Sequence, residues 1–237
     1  MNLSINIDHV ATLRNARGGP VPDPIEAART VERAGAHGIV CHLREDRRHI
    51  RDEDVKRLRK IVKTKLDLEM AASPGIIQIA LDVKPDLVTL VPEKRKELTT
   101  EGGLDVAGQK DLLAKVIERF HRKGIAVSLF IDPVVAQVDA AQEIGSDMIE
   151  IHTGEYADAR TSAQRKKQLV RIRGMAVYGR RIGLGINAGH GLDYANITPV
   201  AAIDEIDEVS IGHAIIVRAL EAGLESAVRE MVQLVKR

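Results

Sequence analysis

GIVCHLREDRRHI, residues 38–50, opens as a six-residue apolar run and breaks abruptly into a cluster of imidazole and guanidinium groups. A short β-branched run reads as a strand, and the polar burst behind it (His42, Arg44, Arg47, Arg48, His49) reads as the loop it delivers. Alone, the burst fits a solvated basic patch, a nucleic-acid grip, a metal site or the anion-binding part of an active site. Recurrence of the pattern decides the fold. Seven more runs of the same kind follow or precede it: LSINI (3–7), KLDLEM (65–70), LVTLV (87–91), AVSLFI (126–131), MIEIH (148–152), LGINA (184–188) and EVSIG (208–212). Between them lie segments of helical period, such as PDPIEAARTVERAG, DEDVKRLRKIVK, QKDLLAKVIERFHRKG, SAQRKKQLVRIRGMAVYGRRIG and the closing AIIVRALEAGLESAVREMVQLVKR. Gly35, Gly124, Gly145 and Gly183 stand where helices should end in a left-handed C-cap.

Eight strands alternating with helices predict an α/β fold, a closed (β/α)8 barrel with additional helices, in a single domain spanning 1–237. An open doubly wound sheet is the alternative. It lacks support because no G-x-G-x-x-G follows the first strand. Two connections read as long loops, DHVATLRNARGGPVP after the first strand and PEKRKELTTEGGLDV after the fourth, the latter with a Gly pair that could let it move as a lid.

Composition narrows the function. Lys plus Arg number 35 and Asp plus Glu 34, so a net charge of +1 gives no global field toward nucleic acid or membrane. Aromatic residues make up 2% of the chain, which leaves few stacking platforms for bases. The N-terminus lacks the basic and apolar regions of a signal peptide, and no run reaches the length of a membrane span. The single cysteine, Cys41, reads as buried packing and fits a reducing cytoplasm.

In a barrel, working residues collect at the C-terminal ends of the strands. His9, His42, His152, His190 and His213 lie at or just past five different strand ends, with His49 in a following loop; only His37 and His121 lie elsewhere. Asp8, Glu69, Asp132, Glu150, Asn6 and Asn187 share those positions. Glu69 and Glu150 stand among apolar neighbours, where desolvation raises a carboxyl pKa toward the range useful for proton transfer. NAGHG (187–191) and SIGHA (210–214) occupy the usual phosphate-binding place of this fold, and Arg14, Arg17, Arg44, Arg47 and Arg48 could hold a second anion. A Schiff-base aldolase is disfavoured, since no run shows an interior lysine. A metal centre drawn from His42, Glu69, His152 and His190 is a minority alternative, because H-x-H and H-E-x-x-H are both missing.

NIDHVATLRNARGG, HLREDRRHI, LEMA, LVPEKR with TTEGGLDVAGQ, SLFID, EIHTGEYADA, NAGHGL and IGHAII together resemble the motifs of the pyridoxine 5′-phosphate synthase family, in family order from about residue 5 to residue 218. The resemblance implies a barrel with extra helices, assembled as a homo-octamer, that works without metal or organic cofactor and with phosphorylated small molecules as its partners. It implies condensation of 3-amino-2-oxopropyl phosphate with 1-deoxy-D-xylulose 5-phosphate to give pyridoxine 5′-phosphate, phosphate and water. His42 and Glu69 match the family's proton acceptors, His190 the proton donor and Glu150 the carboxylate that stabilises transition-state charge. Asn6, Arg17, Gly191, Gly212 and His213 match contacts to the aminoketone phosphate. Asp8, His9, Arg44, His49 and Thr99 match contacts to the deoxyxylulose phosphate. Arg47 and Arg48 stay unassigned, with pairing to Glu45 or Asp46 an equal alternative.

Overall fold

The computed structural model describes residues 1–93 and 102–236. Among these, eight parallel strands close into a barrel in chain order: β1 (Asn2–Asn6), β2 (Gly38–His42), β3 (Lys65–Met70), β4 (Leu87–Leu90), β5 (Ala126–Ile131), β6 (Met148–His152), β7 (Gly185–Gly189) and β8 (Glu208–Ile211), with β8 pairing back to β1. The expected runs match these strands to within a residue or so at each end. The helices are α1 (Asp8–Arg17), α2 (Pro24–Arg33), α3 (Asp52–Ile61), α4 (Pro74–Val83), α5 (Lys110–His121), α6 (Val135–Glu143), α7 (Gly154–Ala157), α8 (Ser162–Arg181), α9 (Ile197–Ala201), α10 (His213–Ala222) and α11 (Leu224–Val235). No helix among the described residues is long and apolar enough to cross a membrane.

Strand parity explains the packing. One face of each strand is apolar and fully buried, as with Leu3 and Ile5, Ile39 and Cys41, Leu66 and Leu68, Val127 and Leu129, and Ile149 and Ile151. That face meets the helices, so the main core is the annulus between barrel and helix layer. The other face points inward and is largely polar: Ser4, Asp67, Thr89, Ser128, Glu150, Asn187 and Glu208 are all buried. Barrel interiors are more often filled by branched aliphatic side chains. Here burial of part of this set is offset by mutual bonding, with Thr89 Oγ1 donating to both Asp67 oxygens at 2.9 and 3.0 Å and Lys65 ion-paired to Glu208, whereas the Ser4 and Ser128 hydroxyls find no partner among the described residues.

Lys65 corrects the expectation of an interior without lysine. It begins β3 and turns inward at the end of the barrel away from the strand C-termini, against Ser4 and Gly38. Burial alone would lower its pKa, but Asp67 and Glu208 overcome that and hold the ammonium protonated. A protonated, ion-paired amine is no nucleophile, so the aldolase reading stays disfavoured on firmer grounds.

The connection after β1 is also corrected. It is not a long loop, because α1 fills its first ten residues: Asn6 Oδ1 accepts from the Asp8 N–H at 2.9 Å at the start, and Gly18, at φ 74°, closes the end. The closing segment is two helices rather than one, broken at Gly223 with φ 80° and ψ 149°. Gly35, Gly124, Gly145 and Gly183 all take positive φ, as their C-cap positions require.

Arg14, an expected anion ligand, is instead a structural tie. Its guanidinium forms a bidentate pair with Asp54 at 2.7 and 2.8 Å and donates to the His49 carbonyl at 3.1 Å; the two side chains are 6% and 4% exposed. Asp54 also accepts from the Arg51 N–H at the start of α3, so one carboxylate joins α1, α3 and the loop after β2. Removing one partner of a buried pair strands the other charge. Asp54→Ala should therefore lower unfolding free energy by about 3–5 kcal/mol in urea titration, and a loss below about 1 kcal/mol, typical of an exposed pair, would contradict this role.

Candidate active site

The strand C-termini open into a cavity of about 720 Å³. Register sets its walls: His42 is paired with Glu69 across β2 and β3, and Glu150 with Asn187 and His152 with Gly189 across β6 and β7. Asn6, Asp8, His9, His42, Arg44, His49, Glu69, Glu150, His190, Gly191, Gly212 and His213 all line the cavity. Of the residues matched to the family's site two are not among them, and His152, Asp132 and Asn187, expected at the same mouth, stand outside the lining as well. Arg17 is exposed at the C-terminus of α1, beyond the lining, and Thr99 lies outside the described residues.

One wall is a carboxylate and imidazole cluster. Asn6 Nδ2 donates to Glu69 Oε2 at 3.3 Å, the His42 backbone N–H donates to Asp8 Oδ1 at 2.9 Å, and His42 Nδ1 lies 4.0 Å from Glu69 Oε2. Burial, reinforced by the charges of Glu150, Asp8 and Asp67, pushes the Glu69 carboxyl well above its usual range despite the Asn6 bond. Glu150 behaves alike: burial first, then Asp67 and Glu208, push it up to about 8, with Lys65 pulling the other way. Asp67, beneath them, is pushed up to about 7, chiefly by burial. Gly189 makes the space for Glu150, since a Cβ there would stand 2.1 Å from Glu150 Oε1. The site thus holds neutral carboxylic acids at neutral pH, able to donate as well as accept.

The imidazoles are shifted the other way. Burial is the largest cause of a lowered pKa at His9, His49 and His190. Asp8 opposes it at His9 and His49, whereas the nearby rings of His213, His42 and His152 respectively add to it. Neutral imidazoles and neutral acids side by side can exchange protons in either direction. His190 is held by its backbone, at φ 79°, with its carbonyl accepting from Thr153 Oγ1 at 2.6 Å. Its ring stands 5.2 Å from that of His152, whose Nδ1 is 2.8 Å from Asp132 Oδ1. The bond from His152, with a second from the Gly103 N–H, keeps the Asp132 carboxyl below its usual range against partial burial.

Anion chemistry divides between two poles. Gly191 (φ 76°), Ser210, Gly212 and His213 form one, where β8 passes into the N-terminus of α10. A Cβ on Gly212 would meet Asn6 at 3.0 Å, so the backbone there is closely approached. Arg44, Arg48 and His49 form the other. Arg48 also pairs with Asp46 at 2.6 Å, whereas Arg47 ion-pairs with Asp52 at 2.5 Å and reaches Glu45 only by donating to its backbone carbonyl at 3.0 Å. Cys41 is buried on the opposite strand face, where burial raises its thiol pKa well above normal. The imagined metal set does not assemble as expected: among the described residues, Asp8, His42 and Glu69 bring ligand atoms within 4.8 Å, and His152 and His190 are not part of that group.

Several lining residues escaped the sequence reading. Phe130 is an inward position of β5, legible from strand parity; Thr12 and Asp193 come from a helix and a loop with no periodic signal. Glu93 is not a lining residue but is the most consequential of those missed, because its Oε1 lies 3.0 Å from His42 Nε2. Linkage makes the buried acids testable. A Glu150 carboxyl at about 8 when folded, against an ordinary 4.5, binds an extra proton in the native state, so its contribution is present below about pH 4.5 and lost as pH rises through about 8. Glu150→Gln should flatten the fall in unfolding free energy across that window, and an unchanged slope would contradict a protonated Glu150.

Comparisons agree with this architecture. The family described as pyridoxal phosphate biosynthesis protein PdxJ matches residues 3–237. The pyridoxine 5′-phosphate synthase of Pelodictyon phaeoclathratiforme is 56% identical over 236 residues, covering 100% of both chains. That of Geobacter metallireducens is 58% identical over 234 residues, covering 99% of this chain and 98% of the relative. Among solved structures, KGPDC from Streptococcus mutans aligns at TM-score 0.67 and 15% identity over 100% of this chain and 97% of that one. A 3-hexulose-6-phosphate synthase aligns at TM-score 0.64 and 16% identity over 100% of both. These last two carry the fold alone. With a full-length family match and relatives above half identity, the chain belongs to the PdxJ family of pyridoxal phosphate biosynthesis proteins.

Proposed function

We propose that this chain is a pyridoxine 5′-phosphate synthase, joining 3-amino-2-oxopropyl phosphate to 1-deoxy-D-xylulose 5-phosphate with release of phosphate and water. The observation that carries the reading is one cavity with an anion pole at each side and a set of neutral acids and neutral imidazoles between them. Ring closure needs that set. Imine formation, loss of phosphate, dehydration and cyclisation each move protons at carbon, nitrogen or oxygen, and a single base could not serve them all. The imine nitrogen comes from a substrate amine, which fits a barrel whose interior lysine is committed to an ion pair.

In this reading His42 and Glu69 accept protons, Glu69 only after giving up the one it carries at rest, His190 donates one that its neutral ring has first taken up, and Glu150 faces the charge that develops in the transition state. The aminoketone phosphate sits at the Gly191, Gly212 and His213 pole, with Asn6 adjacent, where backbone N–H groups and the N-terminus of α10 favour an anion. The deoxyxylulose phosphate sits toward Asp8, His9, Arg44 and His49. By resemblance, Arg17 belongs with the aminoketone phosphate and Thr99 with the deoxyxylulose phosphate. The chain works in the cytoplasm as a homo-octamer; Leu13, Val21, Val217 and Leu220 are exposed apolar residues available for subunit contact.

Purified, chelator-treated protein supplied with both substrates should develop the absorbance of a pyridine ring together with released phosphate, and absence of both would refute the assignment. Glu69→Gln and His190→Asn should each lower kcat by about 10²–10⁴-fold with little change in KM. Arg44→Ala should chiefly raise the KM for the deoxyxylulose phosphate. A variant pattern with the KM loss at Glu69 and the kcat loss at Arg44 would contradict the roles given.

A further inference from the structure

His42 has two ring nitrogens, and what stands behind the ring distinguishes them. We infer that Glu93 is a positioning residue that holds a proton on His42 Nε2 and so makes Nδ1 the nitrogen that accepts a proton from substrate. The inference rests on His42 being a proton acceptor in the reading above.

Glu93 is the inward position two residues beyond Val91, on the strand line that carries Thr89. Its Oε1 lies 3.0 Å from His42 Nε2 while Oε2 accepts from the Glu45 N–H at 3.1 Å. An ionised carboxylate has only lone pairs to offer, so the contact with Nε2 is a hydrogen bond only when Nε2 carries the hydrogen. Burial would push the Glu93 carboxyl up, but the bonds from His42 and the Glu45 N–H, then the charges of His42 when protonated and of Arg44, hold it below its usual range, so that it is ionised at neutral pH. A neutral imidazole has one N–H, which leaves a lone pair on Nδ1. That atom stands 4.0 Å from Glu69 Oε2, on the cavity wall.

The surroundings lock the ring in this sense. The His42 and Glu93 side chains are 6% and 7% exposed, and the His42 backbone is held by Asp8. Among the described residues, His49, Arg44, Asp8 and Glu69 are the other charged or titratable groups near the ring, and Glu93 is the one placed at hydrogen-bond distance from Nε2. Proton balance follows directly. A substrate proton moves to Nδ1, the ring becomes an imidazolium with both nitrogens protonated, and the Glu93 carboxylate stabilises that charge without taking the proton itself. Return of the proton from Nδ1 restores the starting tautomer.

Nitrogen-15 NMR of the histidine rings in the full-length protein reads the tautomer directly. In wild-type spectra taken at a pH where the His42 ring carries a single proton, that proton should be on Nε2. Glu93→Gln, whose amide oxygen still accepts, should retain that pattern and most of kcat. Glu93→Ala should mix the two tautomers and lower kcat by about ten- to a hundredfold, part of what a positioned base supplies, with KM for both substrates little changed. A wild-type His42 protonated at Nδ1, or an Ala variant with unchanged tautomer and unchanged kcat, would overturn the inference. Failure of the synthase reading would show separately, as a wild type that makes no product whatever its ring pattern.

Discussion

The structure depends on strand parity with the apolar face turned outward. Each strand sends its branched side chains to the helix layer, and the polar half of each run goes to the barrel axis. An interior filled by Asp67, Glu69, Glu150 and Glu208, with Lys65 as the balancing cation, would be unstable if every carboxyl had to ionise. The protein resolves this by protonation: Asp67, Glu69 and Glu150 are all shifted upward, burial being the largest cause in each. The same desolvation that threatens the fold thereby prepares the acids of the site. Stability and proton chemistry are set by the same desolvation.

The site adds a second layer to that arrangement. Two of its imidazoles are each backed by a carboxylate, His42 by Glu93 and His152 by Asp132, and both carboxylates stay ionised although partly buried. Neutral acids below and ionised carboxylates beside the rings give neighbouring groups different proton affinities, as a sequence of transfers in alternating directions demands. Glu93 and Gly103 also flank the segment after β4, so both of these pairs stand at its roots.

Much of this was legible in the chain itself. The alternation S-I-N, L-D-L-E and I-E-I-H announces strands with one polar face, and the histidines mark where those strands end. Chain order and the number of runs then bring the marked residues to one mouth. The failures have physical causes. Arg14 read as an anion ligand because charge alone says nothing about a partner 40 residues away in α3; α1 read as a loop because its low amphipathicity hides a helix whose cap lies in Asn6 and Gly18. Lys65 was overlooked because the first residue of a run looks like an edge, although parity places it inward with Asp67 and Glu69. Glu93 lies past the last strand residue, where parity persists but periodicity no longer advertises it.

The central claim is that one cavity holds two phosphates at opposite poles with the proton-transfer groups between. The most direct test is a crystal structure of the protein soaked with a non-reacting analogue of each substrate together. The account predicts one phosphate at the Gly191, Gly212 and His213 backbone and a second against Arg44 and His49, bound at once. Two analogues competing for one pole, or a phosphate held outside the cavity, would contradict it.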